Sequence, residues 1–282
     1  MNSKIYLNGQ IIDATLAKIS VDDRGFRYGD GLFETIHIHN AHPYLLDYHL
    51  ARLKEGLRAL KISMDTENIR SAALNLLAEN SVENGVLRII ISRGEGGSGY
   101  LPVENSPPTV AIQTHAIDGS QNRFCNSANI RLRVSEYRQI PLECLPVNYK
   151  ISQGLGYTLA RIDAKEHNCD DALMLTVDNF ISETASANIF WIKNSELFTP
   201  SLATGALDGV IRRRIIELAP IPVHSGEYRW QNLANADGVF ITNTGLGVAG
   251  VSSIRSTHEE VTIATDWVEE FQTLLLDDVN KC

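Results

Sequence analysis

Long apolar runs are missing from this 282-residue chain. Nothing approaches the ~20 consecutive apolar residues of a membrane-crossing helix, so no membrane association is expected. Cysteine is scarce: Cys125, Cys144, Cys169 and Cys282 form no CxxC and no short spacing. Free thiols in a reducing cytosol are the reading. Cations are outnumbered, 25 Lys+Arg against 34 Asp+Glu for a formal charge of −9. That balance disfavours a general binder of nucleic acid or anionic lipid, while leaving room for a local cationic pocket for a small anionic substrate. The first residues, Met1 to Gly9, break their apolar run after three positions, so no signal peptide is read and a cytoplasmic location is expected. There is no internal repeat, no low-complexity tract and no GxSxG nucleophile turn.

What is present reads as mixed α and β. Tyr6 to Ile12 places two apolar runs around Asn8-Gly9, a hairpin signal. Gly31 to His39 alternates in part and predicts a strand. Leu46, Leu50, Leu53, Leu57 and Leu60 recur at steps of four and three, one stripe of a helix. A second helix is predicted over residues 66–79, with strands at residues 86–92 and 110–114. The polar stretch Asp118 to Asn122 has no pattern and reads as a linker. Beyond it come a strand at 130–134, a helix at 153–166 and a hairpin around Asp178-Asn179. A strand at 188–192, a helix at 210–218, a strand at 239–242 and a closing helix at 264–275 follow. Hairpins argue for antiparallel pairing. The expected organisation is two α+β domains, residues 1–117 and 127–282, joined by a linker at 118–126.

Several motifs have competing explanations. Gly94 to Gly99 satisfies GxGxxG after a strand, yet Tyr100-Leu101-Pro102 prevents the helix a dinucleotide site requires. A flexible glycine loop or a connector is the better reading. His37, His39 and His42 could suggest a metal, but no further ligand is grouped with them, so no metal site is expected and strand-surface histidines are preferred. Lys150 stands at a strand-to-helix junction and Glu183 at a strand end. Alone, each is an unremarkable charged residue.

Taken together, five segments carry a resemblance. Arg27 to Thr35 (RYGDGLFET), His49 to Leu53 (HLARL), Lys150, Ile181 to Trp191, and Gly205 to Arg212 resemble, in order and spacing, the class IV aminotransferase family of pyridoxal-phosphate enzymes. The likeness runs from about residue 5 to residue 255. It implies the two-domain α+β fold-type IV architecture, similar to D-amino-acid aminotransferase, with pyridoxal 5'-phosphate as cofactor and a homodimer as the working form. It also implies roles: Lys150, in the C-terminal domain, as the lysine that attaches the cofactor and later acts as base, and Glu183 at the pyridine nitrogen. Arg52 would fork onto the phosphate, with Val210, Ile211, Asn243 and Thr244 completing the phosphate cup. Many relatives carry threonine where Ile211 stands.

Within that family, Ile91 to Tyr100 (ISRGEGGSGY) and Ile241 to Val248 (ITNTGLGV) are similar to aminodeoxychorismate lyases, as is Phe190-Trp191. The resemblance implies a lyase that converts 4-amino-4-deoxychorismate to 4-aminobenzoate and pyruvate, with Tyr28 and Arg93 as candidate substrate contacts. Ser98 stands where that loop usually has arginine, and Gln153-Gly154 where asparagine and a large residue are usual. An aminotransferase for D- or branched-chain amino acids remains the alternative, and a catalytically idle cofactor-binding protein a third.

Overall fold

The computed structural model describes residues 3–117, 124–125, 127–264 and 267–281. The linker expected at 118–126 therefore lies, apart from Phe124 and Cys125, outside the described residues, as does Cys282. The chain divides into two compact units. One is Met1–Asn122 with Tyr149–Gln153, the other Arg123–Asn148 with Gly154–Cys282.

The first unit contains β1 (Lys4–Leu7), β2 (Gln10–Asp13), α1 (Arg24–Tyr28), β3 (Gly31–His39), β4 (His42–Pro43), α2 (Leu46–Ala59), α3 (Glu67–Glu79), β5 (Gly85–Ser92) and β6 (Thr109–Ala116). Asn8 and Gly9 both take positive φ, which closes the β1–β2 hairpin. The six strands run β2-β1-β6-β5-β3-β4, each pairing antiparallel as expected. Alternation sets the core: Leu32, Ile36 and Ile38 of β3 join Leu87, Ile89 and Ile91 of β5 in one buried cluster. Leu53 and Leu57 of α2 and Ile69 and Leu76 of α3 complete it. Helix α1 has no apolar stripe and escapes a periodicity reading. It is made by its ends: Asp23 accepts from the Gly25 N–H at 2.7 Å, and Gly29 closes it at φ 65°.

The second unit contains β7 (Ser127–Arg138), α4 (Leu155–Glu166), β8 (Asp171–Leu175), β9 (Ile181–Thr184), β10 (Asn188–Lys193), β11 (Glu196–Pro200), α5 (Val210–Leu218), β12 (Val223–Gly226), α6 (Gln231–Ala234), β13 (Gly238–Asn243), β14 (Gly247–Arg255), β15 (Glu260–Thr262) and α7 (Val268–Val279). Its sheet runs β12-β11-β10-β13-β14-β7-β8-β9, with β15 beside β14. Pairing here is mixed, which corrects the antiparallel expectation. Strands β7 and β8, β7 and β14, and β11 and β12 are parallel. The physical reason lies in the connections, since α4 stands between β7 and β8 in the chain, and α5 between β11 and β12. A helical crossover returns the chain in the same direction, which a two-residue turn cannot do. Ile189, Trp191, Val239, Ile241 and Val251 form the core, and Phe240 stacks between Phe190 and Phe271 at 5.2 and 4.9 Å.

Candidate active site

In the first unit, the site residues grow out of β3 and α2. Glu34 lies on the same face of β3 as Leu32 and Ile36, so alternation carries a carboxylate into the core, 1% exposed. It stays there because α2 turns two polar residues, His49 and Arg52, one turn apart, onto its buried face. Arg52 donates from Nε to Glu34 Oε1 at 2.8 Å and from Nη2 to Oε2 at 2.6 Å. His49 Nδ1 stands 2.7 Å from Oε2. Burial alone would push the Glu34 carboxyl up, but the Arg52 charge and the hydrogen bonds of Arg52 and His49 outweigh it and hold Glu34 at about 2. Burial lowers His49, which therefore donates its Nδ1–H as a neutral ring. The Arg52 fork, read in the sequence as a phosphate contact, is formed here with Glu34, because a carboxylate this buried needs a cation against it.

Lys150 belongs to this unit, which differs from the expectation that the C-terminal domain carries it. Main-chain pairing is the cause. Its carbonyl accepts from the Phe33 N–H at 2.9 Å, Ser152 N–H donates to the Gly31 carbonyl at 2.9 Å, and Ile151 bridges Leu32. The half-buried Lys150 thus lies against β3, with Nζ 4.5 Å from the Phe33 ring centroid.

Arg93 has a different occupation from the substrate contact read in the sequence. Its Nε and Nη2 fork onto Asp30 at 2.8 and 2.9 Å, Nη1 donates to the Lys61 carbonyl at 2.9 Å, and Nη2 also reaches the Leu60 carbonyl at 2.8 Å. It thereby satisfies carbonyls just past α2. Tyr28 is half-buried, its ring 5.5 Å from Tyr100 and flanked by the Arg24 and Arg27 guanidinium groups at 4.9 and 5.0 Å. The glycine loop is pinned rather than loose, because buried Arg24 donates to the Gly99 and Tyr100 carbonyls at 3.1 and 2.8 Å. Ser98 is exposed on it. His37, read as a surface histidine, is 4% exposed. Burial, then the neighbouring His39, lowers it to about 4. Among the described residues, no three His, Cys, Asp or Glu side chains are grouped as metal ligands would be.

In the second unit, Glu183 is the centre. It is 4% exposed on β9. Its Oε1 accepts from Gln139 Nε2 at 2.9 Å and the Tyr157 hydroxyl at 3.0 Å, and its Oε2 from the Leu207 N–H at 3.0 Å and Asn188 Nδ2 at 3.4 Å. Helix α5 opens on Gly209 with no side-chain cap, Val210 and Ile211 being its first two residues. A Cβ on Gly209 would collide with Asn188 Oδ1, so only a bare backbone fits there. Asn243 ties the chain together locally: Oδ1 accepts from the Gly245 and Leu246 N–H groups at 2.8 and 2.7 Å, and Nδ2 donates to the Ser186 carbonyl at 3.0 Å. It shapes the β13–β14 turn, where Thr244 is half-buried. Gln139 and Tyr157 were missed by the sequence reading. Nothing in local spacing ties either to Glu183, which lies 44 and 26 residues away.

These residues fit a cofactor with a phosphate and a basic ring nitrogen. An uncapped helix start on a glycine cradle offers N–H groups and a positive dipole end to an anion. A buried carboxylate held by several donors suits a protonated ring nitrogen. Two α+β units bearing such residues define a pyridoxal-phosphate enzyme of fold type IV, and the relatives agree. Residues 31–254 match the family Amino-transferase class IV. A putative branched-chain-amino-acid aminotransferase of Methanocaldococcus jannaschii is 32% identical over 89% of this chain and 88% of its own. An aminodeoxychorismate lyase of Vibrio harveyi is 30% identical over 86% and 90%. A solved 4-amino-4-deoxychorismate lyase of Pseudomonas aeruginosa superposes with a TM-score of 0.84 at 31% identity, covering 98% of this chain and 99% of that one. The chain belongs to the class IV aminotransferase family, whose cofactor is pyridoxal 5'-phosphate.

Proposed function

We propose that this enzyme is an aminodeoxychorismate lyase, converting 4-amino-4-deoxychorismate to 4-aminobenzoate and pyruvate. The observation that carries this reading is near-full-length likeness to lyases, at 30% identity in sequence and 31% in a solved structure. The likeness of the glycine loop and of the Ile241–Val248 segment supports it. A transaminase is the second reading, favoured by the 32% identity to the Methanocaldococcus protein.

When bound, pyridoxal phosphate supplies the electron sink that such chemistry requires. Lys150 Nζ, held over the Phe33 ring, would anchor the cofactor and, once freed, take the proton from the substrate ring carbon bearing the amine. The C–O bond on the neighbouring ring carbon would then break, enolpyruvate would leave and take up that proton to become pyruvate, and the remaining ring would be aromatic. No acceptor is consumed. Glu183 would keep a proton on the cofactor's ring nitrogen, and the Val210 and Ile211 N–H groups would bind its phosphate. Arg52, forked onto Glu34 through Nε and Nη2, would offer its positive charge to the cofactor's phosphate. We further take the enzyme to work as a homodimer, which the exposed Leu16, Val21, Phe26, Tyr100 and Leu101 support.

The test is to load the purified protein with pyridoxal phosphate and add 4-amino-4-deoxychorismate without any keto acid. Pyruvate and 4-aminobenzoate in equal amounts over many turnovers are expected. No pyruvate, with amino-acid turnover that depends on 2-oxoglutarate, would transfer the assignment to the transaminase reading.

A further inference from the structure

The donors on Glu183 form an ordered relay rather than a loose set. Gln139 Nε2 lies 2.6 Å from the Gly205 carbonyl, 2.9 Å from Glu183 Oε1 and 2.9 Å from the Tyr157 hydroxyl oxygen. A carbonyl and a carboxylate both accept only, so the amide must present its nitrogen here. That nitrogen has two hydrogens for three neighbours. The Gly205 carbonyl is closest and takes one. The second falls between Glu183 and Tyr157, and the Tyr157 hydroxyl donates its own hydrogen to Glu183 at 3.0 Å. Burial and the adjacent Glu183 charge both push the Tyr157 phenol up, which favours its hydroxyl as a donor. From α5, the buried Arg212, 6% exposed, feels the charges of Asp208 and Glu183.

We propose that Tyr157, backed by Gln139, is a positioning residue that holds Glu183 as a carboxylate, so that the proton shared with the cofactor's ring nitrogen resides on nitrogen. The assignment rests on the reading that Glu183 faces that nitrogen. A carboxylate that already accepts from a phenol and an amide has less proton affinity left over, and the electron sink is strengthened accordingly. Chains of such bonds reinforce one another in a buried setting.

The test uses holoenzyme loaded with pyridoxal phosphate labelled with nitrogen-15 in the ring, and reads the nitrogen resonance against pH. Wild-type protein should keep the protonated-nitrogen signal across the range in which it stays folded. Tyr157→Phe removes one hydroxyl donor from Glu183 and should move the shared proton toward the carboxylate, displacing the nitrogen resonance toward its unprotonated value throughout that range, a roughly 10- to 100-fold change in the ratio of proton on nitrogen to proton on oxygen. Gln139→Met should move it in the same direction. Both variants leaving the resonance at the wild-type position overturns the proposal, including when their melting temperatures fall, since that is the signature of a merely structural role. Glu183→Gln separates the two layers. If that variant alone moves the nitrogen signal, Glu183 keeps its role and Tyr157 loses the one assigned here. If Glu183→Gln leaves the signal unchanged, both assignments fall.

Discussion

Replacing Glu34 by glutamine is the sharpest test of the first unit. The change keeps the shape and deletes one charge from a buried cluster in which Arg52 and His49 converge on a single carboxylate. Removing one partner of a buried ion pair costs about 3–5 kcal/mol, because the other charge is left uncompensated. A carboxyl held at about 2 instead of 4.5 contributes on the order of 3 kcal/mol at neutral pH. With a urea dependence of about 1–3 kcal/mol per molar, the midpoint should drop by roughly 1–3 M. Circular dichroism is the suitable signal, since Trp191, Trp230 and Trp267 all lie in the other unit. The pH dependence gives a second, independent readout. Folding lowers the Glu34 pKa, so its contribution is complete above pH 4.5 and is lost as pH falls toward about 2. The gap between wild type and Glu34→Gln should therefore be widest near neutrality and close on acidification through that window. A midpoint unchanged at pH 7, or a gap of constant size down to the lowest pH at which both proteins fold, would refute the account of Glu34 as a charge held by Arg52 and His49.

Three further outcomes are expected. Lys150→Ala should bind cofactor without covalent attachment, so borohydride reduction followed by mass spectrometry finds no adduct, and turnover should fall by about 100-fold or more. Arg93→Gln should cost about 2–3 kcal/mol of stability by releasing Asp30 and the Leu60 and Lys61 carbonyls, with KM changed little. A large rise in KM at unchanged melting temperature would instead return Arg93 to the substrate. Gly209→Ala should weaken pyridoxal phosphate binding by about 10-fold or more in an absorbance titration, because its Cβ displaces Asn188, which itself bonds the Leu207 carbonyl. Normal affinity would count against the glycine cradle as the phosphate site.

Local order was written in the sequence. The leucine stripe of α2, the Asn8-Gly9 turn and the β-branched run of β5 each depend on neighbours within a few residues, and each forms where the pattern puts it. The family, too, was legible, because its chemistry needs a lysine, a glutamate and a glycine-led helix start in a set order along the chain. Partner choice was not. Asp30 claims Arg93 from 63 residues away, Glu34 claims the Arg52 fork, β3 claims the segment around Lys150, and Gln139 and Tyr157 gather on Glu183. A buried charge takes whichever opposite charge or donor the packed chain brings within about 3 Å. Which group that is depends on strand order and helix crossing, so the tertiary structure alone decided which charged residues support the fold and which remain for chemistry.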